Sequence, residues 1–495
     1  MFMRQRPLYR VHESFRRTDV ELLLGRGVTF DDLNDDAFGR ALDKLYVAGA
    51  AAVFGALCAR VAVLEQVDDR FLHWDSTTRD YEDPGPLDLK VTHGHSKARR
   101  PDLKQIVLTL LGNREGMPLW GTVENGNASD KTLNGETLDH ILQVFSPERL
   151  REMVYVADSA FCTQKNLAKA AAAGLRVLSR LPETFDATGV AKVQAFDQGE
   201  WRRVGQVAAR RRATTYDASE QAAEIGGRPY RLVVYRSDSL EKRKEKTLER
   251  ELEAEREELE AEAARLGRHP FVCREDAEAQ GRHWLRQRAG AFHTLSYEVS
   301  EERVRQKRSG PGRPKRDEEP VYVLEYRLTL TVMGRKDEMV RAERQRRSAF
   351  VLVTTLPREA ADARELLLEY KFQGSLERRF AFLKDPEVVD SIFVKTPSRV
   401  EALGYVLLMV CLLFSVLERR VRMSGQPLPS LSRGDVPNPT GLEVLRNLSA
   451  SVIEMDDGTR QLGVHPGFER VFEAILAMAR VDPAVYSQVR PRSTA

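Results

Sequence analysis

Apolar positions along this chain repeat with two different periods. Short runs alternate or fill completely, as strands do, and longer ones recur every three or four residues, as helices do. Residues 1–69 predict helices at Val20–Leu24, Asp36–Leu45 and Ala48–Ala62. Arg70-Phe-Leu-His-Trp-Asp-Ser-Thr-Thr78 then predicts a short strand with Asp75 near its end. Ile106–Leu111 and Met117–Val123, joined by Gly112-Asn-Arg-Glu-Gly116, predict a hairpin. A helix over Glu136–Phe145 leads into the apolar run Met153-Val-Tyr-Val-Ala-Asp158, which stops on Asp158. After it come a helix over Gln164–Ala173, a stop at Gly174 and a strand over Leu175–Ser179.

The next stretch has a different texture. Arg231–Arg236 is β-like, and Ser239–Leu266 is dominated by Glu, Lys, Arg and Ala with leucines at 240, 248, 252, 259 and 266. That spacing predicts one long helix with a single apolar seam, suited to a coiled coil or a hairpin of helices. Val321–Met333 alternates as a returning strand does, and Tyr405–Leu417 is a continuous apolar run. The run is shorter than the roughly 18 residues expected of a membrane span, so it predicts a buried helix. Gln426–Thr440 reads as a Pro/Ser/Gly linker before a helical tail from Leu442.

Composition adds little chemistry of its own. At 495 residues the chain is long enough for two or three domains. Its 77 Lys+Arg against 74 Asp+Glu leave a net charge of +3, so attraction to a polyanion must come from local patches. Cys58, Cys162, Cys273 and Cys411 are far apart, which excludes a CxxC zinc site and a disulfide framework. His93 and His95 lack acidic or cysteine company and read as a loop pair. No secretory signal opens the sequence, and the expected location is the cytoplasm, with the nucleoid. Basic stretches occur at Ser96-Lys97-Ala98-Arg99-Arg100 with Lys104 close by, and at Arg305–Arg316. Within the second, Gly312-Arg-Pro314 resembles a minor-groove clip, and the same composition also suits a solvated linker.

The most informative stretch is Tyr370-Lys-Phe-Gln-Gly-Ser-Leu-Glu-Arg-Arg-Phe-Ala-Phe-Leu-Lys384. On one continuous helix Tyr370, Gln373, Glu377 and Lys384 would fall within roughly 60° of one another. Phe372, Leu376, Phe380 and Leu383 form a neighbouring apolar stripe that would seat the helix. A carboxylate beside groups that grip phosphate is what phosphodiester chemistry needs, although a solvated amphipathic helix shows the same pattern. Two aspartates at predicted strand ends, Asp75 and Asp158, tip the reading toward chemistry.

With these residues in view, the chain resembles transposases of prokaryotic insertion sequences, of the DDE type. It is most similar to the subgroup marked by Tyr-x2-Arg-x3-Glu-x6-Lys, here Tyr370, Gln373, Glu377 and Lys384. Asp75-Ser-Thr-Thr78, Ser96-Lys97, Arg100-Pro-Asp-Leu-Lys-Gln105, Gly126-Asn127 with Asp130, Ala157-Asp158-Ser159 and Phe350–Thr354 match in order. Gln373 departs from the pattern's Arg. The resemblance implies an α/β fold: an RNase H-like mixed sheet flanked by helices, in two pieces, 70–182 and 350–422. An inserted domain with the long charged helix (183–349) interrupts it. The helical region 1–69 is expected to be a partial DNA-binding domain, and 423–495 a linker and helical tail.

What the resemblance implies for function is specific. Asp75, Asp158 and Glu377 would be the catalytic carboxylates, holding two Mg²⁺ (or Mn²⁺ in vitro) roughly 4 Å apart. Tyr370, Gln373, Lys384, Lys97, Arg100 and Lys104 would contact DNA. The expected partners are the element's terminal inverted repeats and target DNA, with a homodimer in the DNA complex. Three classes stay open: a transposase that cuts and joins, a nuclease that only cuts, and an inactive DNA-binding relic.

Overall fold

The computed structural model describes residues 12, 13, 15, 20–25, 27–81, 104–207, 213–306, 319–384, 394, 396–429, 434–448, 450–454, 460–464 and 466–483. Three helices come first: α1 (Val20–Leu24), α2 (Asp35–Val47) and α3 (Ala50–Leu64). The Asn34 side chain caps α2 by accepting from Ala37 N at 2.9 Å. Gly49, at φ 80°, makes the left-handed turn between α2 and α3. Strands β1 (Phe71–Tyr81), β2 (Lys104–Gly112) and β3 (Pro118–Asn125) follow, then α4 (Asp130–Val144), α5 (Pro147–Glu152), β4 (Val154–Ala157), α6 (Gln164–Ala172) and β5 (Arg176–Arg180).

The chain continues with α7 (Asp186–Gln198), β6 (Arg202–Gln206), β7 (Thr215–Ile225), β8 (Arg228–Ser237), α8 (Asp238–Leu266) and α9 (Arg274–Gln287). Next are β9 (His293–Arg305), β10 (Tyr322–Arg335), α10 (Asp337–Ser348), β11 (Ala349–Thr354), α11 (Ala363–Phe372), α12 (Gly374–Lys384) and α13 (Pro397–Met423). Last come α14 (Gly441–Asn447), β12 (Ala450–Glu454), β13 (Arg460–Val464) and α15 (Glu469–Ala479). The chain forms two compact units. The first holds residues 1–182, 224–231 and 353–495; the second holds 183–223 and 232–352.

In the first unit the strands lie in the order β3-β2-β1-β4-β5. β1, β2 and β3 pair antiparallel, as expected of a hairpin laid against a neighbour, while β1, β4 and β5 pair parallel. Thr354 and Thr355 join the β5 side, with Thr354 Oγ1 donating to Val177 O at 2.7 Å and Thr355 N at 3.2 Å. Buried Ile106, Leu108, Leu110 and Val123 of the hairpin meet Phe54 and Cys58 of α3, Leu376 and Phe380 of α12, and Leu407 and Cys411 of α13 in one core. The expected mixed α/β sheet with flanking helices, preceded by a helical region, is borne out.

Helix α13 is long and apolar enough to cross a membrane by length and composition, yet 67% of its most apolar window is buried in protein. The tail differs from the expected run of helix, because β12 and β13 pair antiparallel between α14 and α15. In the second unit the leucine seam of α8 is used within the unit. Leu248 and Leu252 pack with Val340 of α10, and Leu259 packs with Trp284 of α9 and Ala291. The same unit carries the antiparallel β9–β10 ribbon, in register from Tyr322↔Arg305 to Val332↔Leu295.

Candidate functional site

Side chains alternate along β1, so Phe71, His73 and Asp75 share one face and Leu72, Trp74 and Ser76 the other. Parallel pairing sets Phe71 against Val154, Leu72 against Tyr155 and His73 against Val156. Carried forward by the same offset, Asp75 stands level with Asp158, one residue beyond β4. Neighbouring strands lie about 4.8 Å apart, so two half-buried carboxylates stand side by side where β4 ends against the middle of β1. Each also accepts from a nearby backbone N–H: Asp75 Oδ1 from Ser76 N at 2.8 Å, within β1, and Asp158 Oδ1 from Ala160 N at 3.0 Å, in the turn after β4. Ser179 Oγ donates to Asp158 O at 2.7 Å, tying β5 to the end of β4.

Other residues shared with the family pattern serve as fasteners here. Ser76 Oγ donates to Asp130 Oδ1 at 2.6 Å, joining β1 to the start of α4. Gln105 Nε2 donates to Gly126 O at 2.7 Å, across the hairpin's far end.

The signature stretch departs from the continuous helix that its periodicity predicts. Helix α11 opens on an Asp362–Glu365 capping box and ends at Phe372; α12 starts at Gly374. At the join Gln373 N donates to Tyr370 O at 3.3 Å and Leu376 N to Gln373 O at 3.1 Å, the tighter spacing of a turn. Gly374 weakens a helix interior by about 1 kcal/mol relative to Ala, and Gln373 has a competing partner. Its side chain is buried, with Nε2 donating to Trp74 O at 3.2 Å, directly before Asp75. The Gln373 amide, expected to meet phosphate, is here turned into the protein, where it pins the helix break to β1.

Tyr370 sits beside the carboxylates. Burial, with the charges of Asp158 and Glu377 nearby, pushes its phenol up to about 12 despite Arg180. Glu377 itself is exposed in the first turn of α12. The three carboxylates do not form a closed nest: among the described residues no group of three or more His, Cys, Asp or Glu side chains could hold a metal ion. Asp75 and Asp158 supply oxygen donors of the type a hard divalent cation takes, and Glu377 stands on α12, which packs against β1. Lys97 and Arg100 lie outside the described residues, as do the side chains of Lys104 and Lys384.

Two buried glutamates that sequence reasoning missed, Glu369 and Glu418, set the position of these helices through their partners. His73, fully buried two residues before Asp75, meets Glu369 Oε1 through Nε2 at 2.9 Å. Glu369 Oε2 accepts from Arg114 Nη2 at 2.5 Å, and the Arg114 guanidinium also lies over the rings of Phe71 and Phe372. Glu369 directly precedes Tyr370, so these linked side chains orient α11 on β1. On α12, Arg379 grips Glu418 of α13 through two bonds, at 2.6 and 2.9 Å. Arg379 also donates to Gly116 O at 3.1 Å and Glu115 O at 3.2 Å. Burial alone would raise the Glu418 carboxyl; the bonds and charge of Arg379, with Arg422 and Gly441 N, outweigh it and hold the carboxyl below its usual range. The available signal was a charge inside an apolar stripe: Glu369 among Leu366, Leu367 and Phe372, and Glu418 closing the run of α13.

A mixed sheet flanked by helices, with two acidic residues in register on neighbouring strands, is the architecture of an α/β protein. Residues 67–413 match the family model described as a transposase DDE domain, more than half of the chain, and the protein belongs to that family. Residues 1–59 match a second model, described as a domain of unknown function (DUF4277). No curated protein matches the chain.

Proposed function

We propose that this protein is a DNA transposase of the subgroup with the Tyr-x2-Arg-x3-Glu-x6-Lys signature, Gln373 standing in for Arg. It would cut at the ends of its insertion sequence and transfer the freed 3′-hydroxyl into target DNA. The observation that carries the reading is the register of β1 and β4, which sets Asp75 level with Asp158. The order β3-β2-β1-β4-β5, antiparallel then parallel, supports an RNase H-like core.

Asp75, Asp158 and Glu377 would hold Mg²⁺, or Mn²⁺ in vitro, and two such ions supply Lewis-acid activation of the attacking oxygen and stabilisation of the departing one. The chain's own part is positional. The His73–Glu369 pair holds α11 and Gln373 pins the break after it, while the Arg379–Glu418 pair holds α12, the helix that bears Glu377. Tyr370, protonated through neutral pH, offers an O–H donor to a non-bridging phosphate oxygen, and Lys384, Lys97, Arg100 and Lys104 supply cations for the backbone. In the first step the P–O3′ bond at the element end breaks as water's oxygen bonds to phosphorus. In the second the freed 3′-oxygen bonds to a target phosphorus and displaces the target's own 3′-oxygen. Cleavage would take place on a homodimer with the paired ends, at the nucleoid.

A supercoiled plasmid carrying the element ends, incubated with protein and Mg²⁺, tests the proposal. Joined products are expected, and Asp75→Ala, Asp158→Ala or Glu377→Ala should each abolish cleavage while DNA binding persists. Nicks without joining would reduce the protein to a nuclease, and binding without chemistry to a relic.

A further inference from the structure

A cavity of about 730 Å³ opens on the first unit, away from the carboxylate end of the sheet. It lies at the start of β1, where Arg70 and Phe71 line it, and reaches α12 at Arg378, the neighbour of Glu377. Phe71 and Asp75 are four residues apart on β1, about 13 Å at strand spacing. The wall holds six arginines and four glutamates, and the glutamates are all engaged. Glu115 pairs with Arg419, Glu369 with Arg114 and His73, Glu418 with Arg379 and Arg422, and Glu365 is held in its capping box. Arg70 and Arg378, both exposed, have no acidic partner among the described residues. Arg422 is held below the usual guanidinium range by burial, and the charges of Arg379 and Arg378 act in the same direction. The floor between these cations is apolar, with Phe71, Met117 and Phe372.

We propose that this cavity is a second DNA-binding site, taking backbone phosphates of the duplex that flanks the cut onto Arg70 and Arg378, with deoxyribose carbons against the Phe71–Phe372 floor. It rests on the transposase reading. The cations are in excess where the wall's acids are neutralised, and an anion there relieves the crowding around Arg422. At roughly 3.4 Å of rise per nucleotide, 13 Å corresponds to about four nucleotides from the scissile phosphate. The site thus fits a flank held on the same strand run that enters the carboxylates. Its chemistry reads phosphate and sugar, so it adds affinity and register, not sequence choice.

The test is a salt titration of affinity for a 30-base-pair duplex, comparing the full-length wild type with the double variant Arg70→Gln/Arg378→Gln. Each phosphate that is no longer neutralised should flatten the slope of log K against log salt by about 0.9, so the double variant should be shallower by up to about 1.8. Both side chains are exposed and carry no ion pair among the described residues, so the melting temperature should not move. Binding by the wild type with an identical slope in the double variant would overturn the cavity assignment while leaving the transposase reading intact. A wild type that binds no duplex at all would overturn both.

Discussion

The Arg379–Glu418 pair provides the sharpest quantitative test of how α12 is held. Replacing Arg379 by Met leaves the Glu418 carboxylate, 3% exposed, without its bidentate partner. It also strips a donor from Gly116 O and Glu115 O. Breaking one side of a buried pair costs about 3–5 kcal/mol. Arg422 remains 2.5 Å from Glu418, and Gly441 N still donates at 2.8 Å, so the lower end, about 3 kcal/mol, is expected. For a cooperative unit of this size that corresponds to a fall in Tm of about 4 °C, read by circular dichroism at pH 7. The companion variant, Arg379→Met with Glu418→Met, leaves no buried carboxylate unpaired but takes Glu418 from the half-buried Arg422, so it should recover part of the loss. The pH dependence has a definite sign. The folded carboxyl lies below its unfolded value, so its stabilisation is complete above the ordinary carboxylate range and is lost as pH falls through the folded value. Glu418→Gln should therefore lack that acid-side loss. A single variant that melts within about 1 °C of wild type, or a double variant as unstable as the single, would refute this account of the pair.

Other outcomes follow from the same geometry. Tyr370→Phe should lower cleavage without changing the shape of the pH profile between pH 7 and 10, because the phenol is pushed up to about 12; a wild-type decline near pH 10 that Phe removes would contradict this. Gln373→Arg should destabilise the protein, since the position is buried against Trp74 O, and leave the salt slope of DNA binding unchanged; a slope steeper by about 0.9 would show that position 373 reaches DNA after all. Leu252→Lys with Leu259→Lys places two ammonium groups at positions only 1% exposed, and should unfold the second unit, seen as lost helicity and rapid proteolysis; a native spectrum with altered mass in solution would instead make α8 a seam between copies.

Local periodicity was enough to find most of the elements. The strand bearing Asp75, the hairpin after it, the run ending at Asp158 and the long charged helix were all legible, because alternation and heptad-like spacing are recorded within a few neighbouring residues. The sequence placed Asp158 at a strand end correctly, whereas Asp75, expected near the end of a short strand, lies in the middle of the longer β1. It could not say that those strands are neighbours, nor that a constant offset sets Asp75 level with Asp158, because strand pairing joins residues that are distant along the chain. The same limit hid the helix break. Tyr370–Lys384 keeps a helical period throughout, and the carbonyl of Trp74, which takes the Gln373 amide, joins the weak helix propensity of Gly374 in making a turn at Gln373 the better solution. His73 and Glu369 lie 296 positions apart, and Arg379 and Glu418 lie 39 apart. A charge in an apolar stripe looks like an error of pattern until its partner is known, since burying it is costly alone and tolerable when paired. Which helices pack beside β1, and what fastens them there, was decided by those long-range pairings.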